Sequence, residues 1–361
     1  MKIGILTQPL HANYGGILQN YALQCVLKQL GHEVWTIDYG KYTWLDWLDN
    51  AWRVLAHKLL GHHATFEATP TEWQSYGIPL RNFVHKFIDI TEPYTKRIRK
   101  DIIKKYSLDA LVVGSDQVWR PKYNRRIEDC YLKFASGSNI RRVAYGASFG
   151  TDEWEYTNKQ TKRCATLVKK FSGISVREKT GISLCEKYLN VKATHVLDPT
   201  LLLYAEDYNQ LCLHIPKRKS FVFAYILDES EEKTREIKAF SERKGLPYVI
   251  KSAGGTISSN DTIELWLSYF RDAEFIVTDS FHGTVFSVIF NKDFYVLGNE
   301  KRGNSRFESL LDMFGLKDRM VNNILSNKAE SIDWKKVNDK KENAIKSSKL
   351  WLMQNLNICQ R

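Results

Sequence analysis

Apolar and polar positions follow two rhythms along this chain. KIGILT (2–7) is a short, continuous apolar run, the pattern of a strand buried on both faces. Asn13-Tyr14-Gly15-Gly16 reads as a turn. ILQNYALQCVLKQLG then sets Leu18, Ala22, Cys25 or Val26, and Leu30 at helical spacing, and Gly31 supplies the stop. HEVWTIDYG resumes a strand. Strand, helix, strand predicts the opening of a parallel, doubly wound sheet. A helical stretch near 79–105 leads to LDALVVGSDQVWRP, whose apolar strand runs from Asp109 to Val113 and ends at Gly114-Ser115-Asp116. RRVAYGAS (141–148) is another strand, followed by a helix over 152–171. FSGISVREKTG carries a short strand ending at Arg177, and the strand ATHVLD precedes Asp198-Pro199-Thr200.

From Lys219 the rhythm restarts. FVFAYIL, LPYVIK, EFIVT and DFYVL read as strands. Between them lie a charged helix (229–244) and the helices DTIELWLSYFRDA and FHGTVFSVIF. A long polar helix, WKKVNDKKENAIKSSKLWLMQNL, ends the pattern. The prediction is an α/β protein: two Rossmann-like domains, 1–205 and 206–330, with an interdomain cleft. A closing helix within 331–361 is placed to pack back on the first domain. In open α/β sheets ligands bind beyond the carboxyl ends of the strands. That rule nominates 4–16, 114–119, 146–150, 175–179, 251–255 and 278–283.

One segment departs from the alternation. TWLDWLDNAWRVLAHKLL (43–60) places Leu45, Leu48, Trp52, Leu55 and Leu59 on one helical stripe, with Trp44 and Trp47 nearby. Two readings stand: a helix packed on its own domain, or one lying at a membrane interface, where tryptophan is favoured.

Composition narrows the partners. The 361 residues fit two domains, and the formal net charge of +12 favours anions: phosphorylated metabolites or a phospholipid surface. No dense Lys/Arg block indicates nucleic acid. Six scattered cysteines show no CxxC or Cys/His ligand spacing and read as reduced core residues, and no acidic cluster suggests a metal. MKIGILT is too short for a signal peptide, and no run reaches the length of a membrane span. The expectation is a cytoplasmic protein, with peripheral contact at the inner face of the cell membrane as an extension.

TDSFHGTVFSVIF (278–290) carries the most chemistry. Asp279 or Ser280 suits the N-cap of a helix, which puts His282 in its first turn. A helix N-terminus offers unpaired N–H groups to an anion. An imidazole there can donate to that anion or move a proton. Gly283 would let a ligand approach the backbone. A structural histidine is the competing reading.

SDQVW (115–119), SVRE (175–178), LDPT (197–200) and TDSFHGTVFSVIF, in this order and with MKIGILT and NYGG near the start, resemble the polysaccharide pyruvyltransferase family over about residues 1–330. The resemblance implies a GT-B-like fold. It also implies transfer of the enolpyruvyl-derived group of phosphoenolpyruvate to a sugar of a polysaccharide or lipid-linked precursor. The product is a pyruvate ketal, phosphate is released, and no cofactor is needed beyond that co-substrate. Under this reading His282 is the acid/base group, with Asp116 or Asp279 as orienter or base. Arg177, Ser280, Phe281, Gly283, Thr284 and Arg306 would bind the donor. Asn13, Tyr14, Gly15, Gly16, Ser115 and Trp119 would face the acceptor. The family commonly has arginine two places before the motif histidine, where this chain has Ser280. Lys301, Arg302 or Arg306 could replace that charge, and Arg306 is favoured. Bland alternatives stay open: an internal ion pair for Arg177 with Glu178 or another acid, a turn cap for Asp116, a core position for Trp119. The competing functions are a GT-B glycosyltransferase using a nucleotide sugar and a silent carbohydrate-binding relative.

Overall fold

Short apolar runs pair into two parallel sheets. The structure is a computed structural model and describes residues 1–11, 13–40, 47, 48, 51, 52, 54, 55, 58, 70–94, 98–124, 126–252, 261–298, 303–327 and 330–356. The first sheet holds β1 (Lys2–Leu6), β2 (Glu33–Thr36), β3 (Ala110–Val113), β4 (Arg141–Ala147), β5 (Gly173–Val176) and β6 (Thr194–His195). Their order is β2-β1-β3-β4-β5-β6, and every pairing is parallel. The second holds β7 (Val222–Ile226), β8 (Tyr248–Ser252), β9 (Phe275–Thr278), β10 (Asp293–Leu297) and β11 (Met320–Val321), ordered β11-β10-β9-β7-β8 and again parallel. Counted from its own first strand, the second sheet repeats the first: 2-1-3-4-5. Strands covered on both faces need apolar side chains throughout, and ALVV, VFAYI and FIVT are fully buried.

The helices are α1 (Tyr14–Gln29), α2 (Pro70–Phe87), α3 (Asp101–Lys105), α4 (Asn158–Val168), α5 (Lys179–Leu184), α6 (Ala205–Leu211), α7 (Glu231–Lys244), α8 (Ile263–Asp272), α9 (Phe281–Ile289), α10 (Ser305–Phe314) and α11 (Trp334–Leu356). Two local expectations change. Asn13-Tyr14-Gly15-Gly16 is not a separate turn: Asn13 is the N-cap, its Oδ1 accepting from Gly16 N at 3.1 Å, and the other three residues are the first turn of α1. The 79–105 stretch holds two helices, and between them Ile90 bridges Thr36 and Tyr94 bridges Tyr39.

In α11, Val337, Lys341, Ile345, Ser348, Leu352 and Leu356 form one buried stripe at helical spacing. The stripe lies against the first sheet. Trp351 sits 6.1 Å from the Tyr145 ring, Leu197 N donates to Ser348 Oγ (3.1 Å), and Arg141 Nη1 donates to the Asn355 carbonyl (2.8 Å). One hydrophobic core includes Ile3 of β1, Phe286 of α9 and Leu352 of α11, so apolar packing is continuous through both halves. In both sheets the chain order switches between the first and third strands. The carboxyl ends of β1 and β3 therefore bear the loops of one switch point, and those of β7 and β9 bear the other.

Of the stripe within 43–60, Leu45 and Leu59 lie outside the described residues, as does the neighbouring Trp44. Leu48, Trp52 and Leu55 are helical and exposed, while Val54 is buried.

Candidate active site

β9 delivers the chain to Thr278, and α9 starts three residues later. Ser280 is the N-cap: its backbone is extended and its Oγ accepts from Gly283 N at 3.3 Å. Such a cap is worth about 1 kcal/mol. All nine residues of α9 are buried. His282 is the second residue of the helix, where N–H groups lack intrahelical acceptors. Its ring reaches the first half of the protein. Nε2 stands 3.8 Å from Asp198 Oδ2, longer than a hydrogen bond, and has no hydrogen-bond partner among the described residues. The ring lies against the start of α1. A Cβ on Gly15 would come 2.0 Å from His282 Nδ1, and one on Gly16 3.2 Å from Asp116 Oδ2. The two glycines therefore make room for site side chains, where the sequence suggested room for a ligand.

Asp198 lies at the centre. Thr200 N and Oγ1 donate to its Oδ1 at 3.0 and 2.6 Å. Ser115 Oγ and Arg177 Nη1 donate to Oδ2 at 3.0 and 2.8 Å. Burial alone would push this carboxyl up. The His282 ring, the Arg177 guanidinium and Thr200 outweigh it and hold Asp198 well below the usual carboxylate range.

Arg177, at the end of β5, is buried and paired with Asp198 and, at 3.7 Å, with Asp116 Oδ1. The internal ion pair thus exists, with Asp198 and Asp116 as partners. Burial works against its charge, but Asp198, Asp116 and Glu178 outweigh that and keep it ionised. Its Nε and Nη2 have no hydrogen-bond partner among the described residues. The guanidinium carbon stands 4.4 Å over the Phe281 ring, and that of Arg306, near the start of α10, stands 5.7 Å from the same ring. Burial, then the charge of Arg177, pushes Arg306 down to about 10. Two buried guanidinium groups thus share one aromatic side chain and repel each other. Lys301 and Arg302 lie outside the described residues.

Asp116 holds a left-handed backbone, φ 68°, which aspartate tolerates better than most residues. Its carbonyl accepts from Val118 N and Ser148 N, so it also organises the loop. Glu178 closes the set. Its Oε1 accepts from Ser148 Oγ (3.0 Å), Phe149 N (2.8 Å) and Gly150 N (3.2 Å).

Several nominated residues stand elsewhere. Asp279 turns from His282: its carboxylate accepts from Leu227 N (2.5 Å), Asp228 N (3.2 Å) and Lys233 Nζ (2.7 Å), tying β7 and α7 to β9. Trp119 offers no face to a sugar, being fully buried and stacked on Tyr131 at 4.8 Å. Tyr14 stacks on Trp266 at 5.4 Å and donates to the Asp261 carbonyl at 3.1 Å, so it fastens α1 to the second half. Ser115 spends its hydroxyl on Asp198. Thr284 donates to the Ser280 carbonyl at 3.1 Å. Gly283 allows close packing on its own strand, since a Cβ would meet Thr278 Oγ1 at 2.2 Å. Asn13 serves as the cap of α1. Among the described residues no cluster of three metal-ligating side chains occurs, and the five cysteines there are free thiols.

The residues brought together, Asp116, Arg177, Asp198 and His282, come one from each motif whose order was singled out in the sequence. A family model described as Polysaccharide pyruvyl transferase matches residues 13–301. The chain belongs to the polysaccharide pyruvyl transferase family. These four residues lie within the match, and Arg306 lies beyond it. No curated protein matches the chain. The structure of this pyruvyl transferase family member is similar to that of UGT89C1 from Arabidopsis thaliana, solved with UDP-L-rhamnose. The TM-score is 0.52 at 10% identity, with 98% of this chain and 97% of that one covered. It is also similar to UDP-GlcNAc 2-epimerase from Methanocaldococcus jannaschii, with TM-score 0.47, 12% identity, and 95% and 92% covered. At such identities the likeness is one of fold: two Rossmann-like halves arranged as in GT-B glycosyltransferases.

Proposed function

We propose that this protein transfers the enolpyruvyl-derived group of phosphoenolpyruvate to two hydroxyls of a sugar, forming a pyruvate ketal. One observation carries the reading. Arg177 is buried with Nε and Nη2 making no hydrogen bond among the described residues, Nη2 standing 3.7 Å from Asp116 Oδ1, beside a second buried guanidinium that it repels. An anion relieves both conditions, and a planar fork suits a carboxylate or phosphate. Phosphoenolpyruvate has both groups. Arg177 and Arg306 then hold the donor, near the N–H groups at the start of α9.

The chemistry needs one proton delivered and two removed. A sugar hydroxyl adds to C2 of the enol while C3 gains a proton. The C2–O bond to phosphate breaks, and the second hydroxyl adds at C2 and closes the ring. Of the two hydroxyl protons, one balances that gained at C3 and the other leaves with phosphate. His282 is the group we assign to proton transfer, and Asp116 the base on the acceptor side. We extend the reading to a lipid-carried acceptor at the inner membrane face. Its support is Leu48, Trp52 and Leu55, with Trp52 72% exposed, and the net charge of +12.

Calorimetry with phosphoenolpyruvate and a panel of nucleotide sugars tests the donor. Phosphoenolpyruvate binding, followed by phosphate release when sugar acceptors are added, is the expected result. Binding of a nucleotide sugar alone would replace this reading with glycosyl transfer.

A further inference from the structure

In the sequence Asp198 stood only as the end of a strand and as part of LDPT, with no role of its own. It caps the short helical turn Pro199–Leu202, accepting from Thr200 N. That capping uses Oδ1 alone. Oδ2 faces Ser115 Oγ, Arg177 Nη1 and, from the other half of the protein, His282 Nε2. A cap does not require this second oxygen to be charged, and asparagine caps as well as aspartate. A buried ion pair is also a weak source of net stability, so the charge has to be explained by what it orients.

We propose that Asp198 is a positioning residue serving both walls of the cleft. By holding Nη1, it fixes the plane of Arg177, so that Nε and Nη2, which make no hydrogen bond among the described residues, can donate to the donor. By facing Nε2 with the same oxygen, it aims the His282 ring. Ser115 and Thr200, both fully buried, hold the carboxylate in turn. The donor fork and the proton carrier are therefore in register only when the two halves are together. Orientation through such an intermediary is worth about 10–100-fold in other sites.

The activity part of the test rests on the function proposed above, so a second readout is taken on the protein alone. Asp198→Asn keeps the cap and removes the charge. The expected result is a kcat lower by about 100-fold and a donor KM higher by about 10-fold. Thr200→Val removes one hydrogen bond to Oδ1 and leaves the charge. It should lower kcat about 5-fold, and Thr200→Ser should restore it. In the unliganded protein, the histidine ring nitrogen NMR signals of His282, assigned with His282→Gln, should move in Asp198→Asn and Thr200→Val but not in Asp279→Asn. If the wild type neither binds nor turns over phosphoenolpyruvate, the donor assignment falls and the NMR comparison still decides the role of Asp198. If Asp198→Asn does not fold, Thr200→Val carries both readouts. Unmoved His282 signals, or a kcat within twofold of wild type wherever turnover is measurable, would overturn the proposal.

Discussion

On the first wall of the cleft, Ser115, Asp116, Arg177, Glu178 and Asp198 are buried together in one set of hydrogen bonds and ion pairs. On the facing wall, α9 is a nearly apolar helix that brings one imidazole, whose Nε2 makes no hydrogen bond in the described structure. The walls come from sheets of the same strand order, so topology does not explain the difference. The first wall spends its polar groups on holding charge in place, and the second presents a group with little to hold it. A guanidinium held in place by its carboxylate neighbours suits an anion that must be bound in one orientation. An imidazole whose Nε2 makes no hydrogen bond among the described residues suits a group that moves a proton to or from a substrate.

The largest effect should come from removing that imidazole. His282→Ala is expected to lower phosphate release by about 1,000-fold, within the range for general acid–base groups. The thermal midpoint should move by only about 2 °C, since little is lost but packing. Activity within tenfold of wild type would mean that the second wall brings no proton chemistry.

Arg177→Met tests the opposite wall. It leaves Asp198 and Asp116 buried without their cation, which costs about 3–5 kcal/mol. Urea unfolding should show this loss, and donor binding should disappear with it. A change under 1 kcal/mol would mean that the charges of the first wall are not coupled as their distances imply.

Gly15→Ala probes the seam between the walls. The new methyl would overlap His282 Nδ1, so the ring or α1 must shift. A fall in kcat of about 10–100-fold is expected, because a shift near 1 Å is enough for such losses. An unchanged kcat would show that the ring position is not demanding.

How much of this was legible in the sequence depends on the range of the signal. Periodicity and caps are local, so most strands and the restart after Lys219 could be read directly. Ser280 as a cap and His282 in the first turn followed from four adjacent residues. Gly15 could not be read the same way, because the neighbour that forbids a side chain, His282, comes from a helix of the other half. Phe281 beside two guanidinium groups is likewise a product of packing. Asp198 was visible only as the aspartate before the proline of LDPT, and its second oxygen has a purpose only once Ser115, Arg177 and His282 converge. Trp119 and Asp279 mislead for the converse reason: a strand-end position is exposed to the cleft only if the fold has no nearer use for it.

Acid should weaken the first wall selectively. Asp198 is held below its unfolded value of about 3.9, so its contribution is complete above about pH 4 and is lost as pH falls toward the folded value. Thermal melts of wild type and Asp198→Asn should therefore differ most near neutrality and converge as pH drops below about 4. A gap of constant size down to pH 3 would place the loss in other carboxylates.

The smallest effect on turnover should come from Asp279, the carboxylate nearest to His282 in sequence. Asp279 lies on the second wall, yet both its oxygens point into its own half, to Leu227 N, Asp228 N and Lys233 Nζ. Asparagine can keep one backbone hydrogen bond and must give up the ion pair. Asp279→Asn should therefore cost about 1–2 kcal/mol in denaturant unfolding, as loss of a charged hydrogen bond does. The kcat of the folded variant should stay within about threefold of wild type. Stability loss without activity loss would set Asp279 apart from Asp198, whose exchange for asparagine is expected to do the reverse for catalysis. A hundredfold fall in kcat at unchanged stability would instead give the second wall a working carboxylate of its own, and the contrast between the two walls would fail.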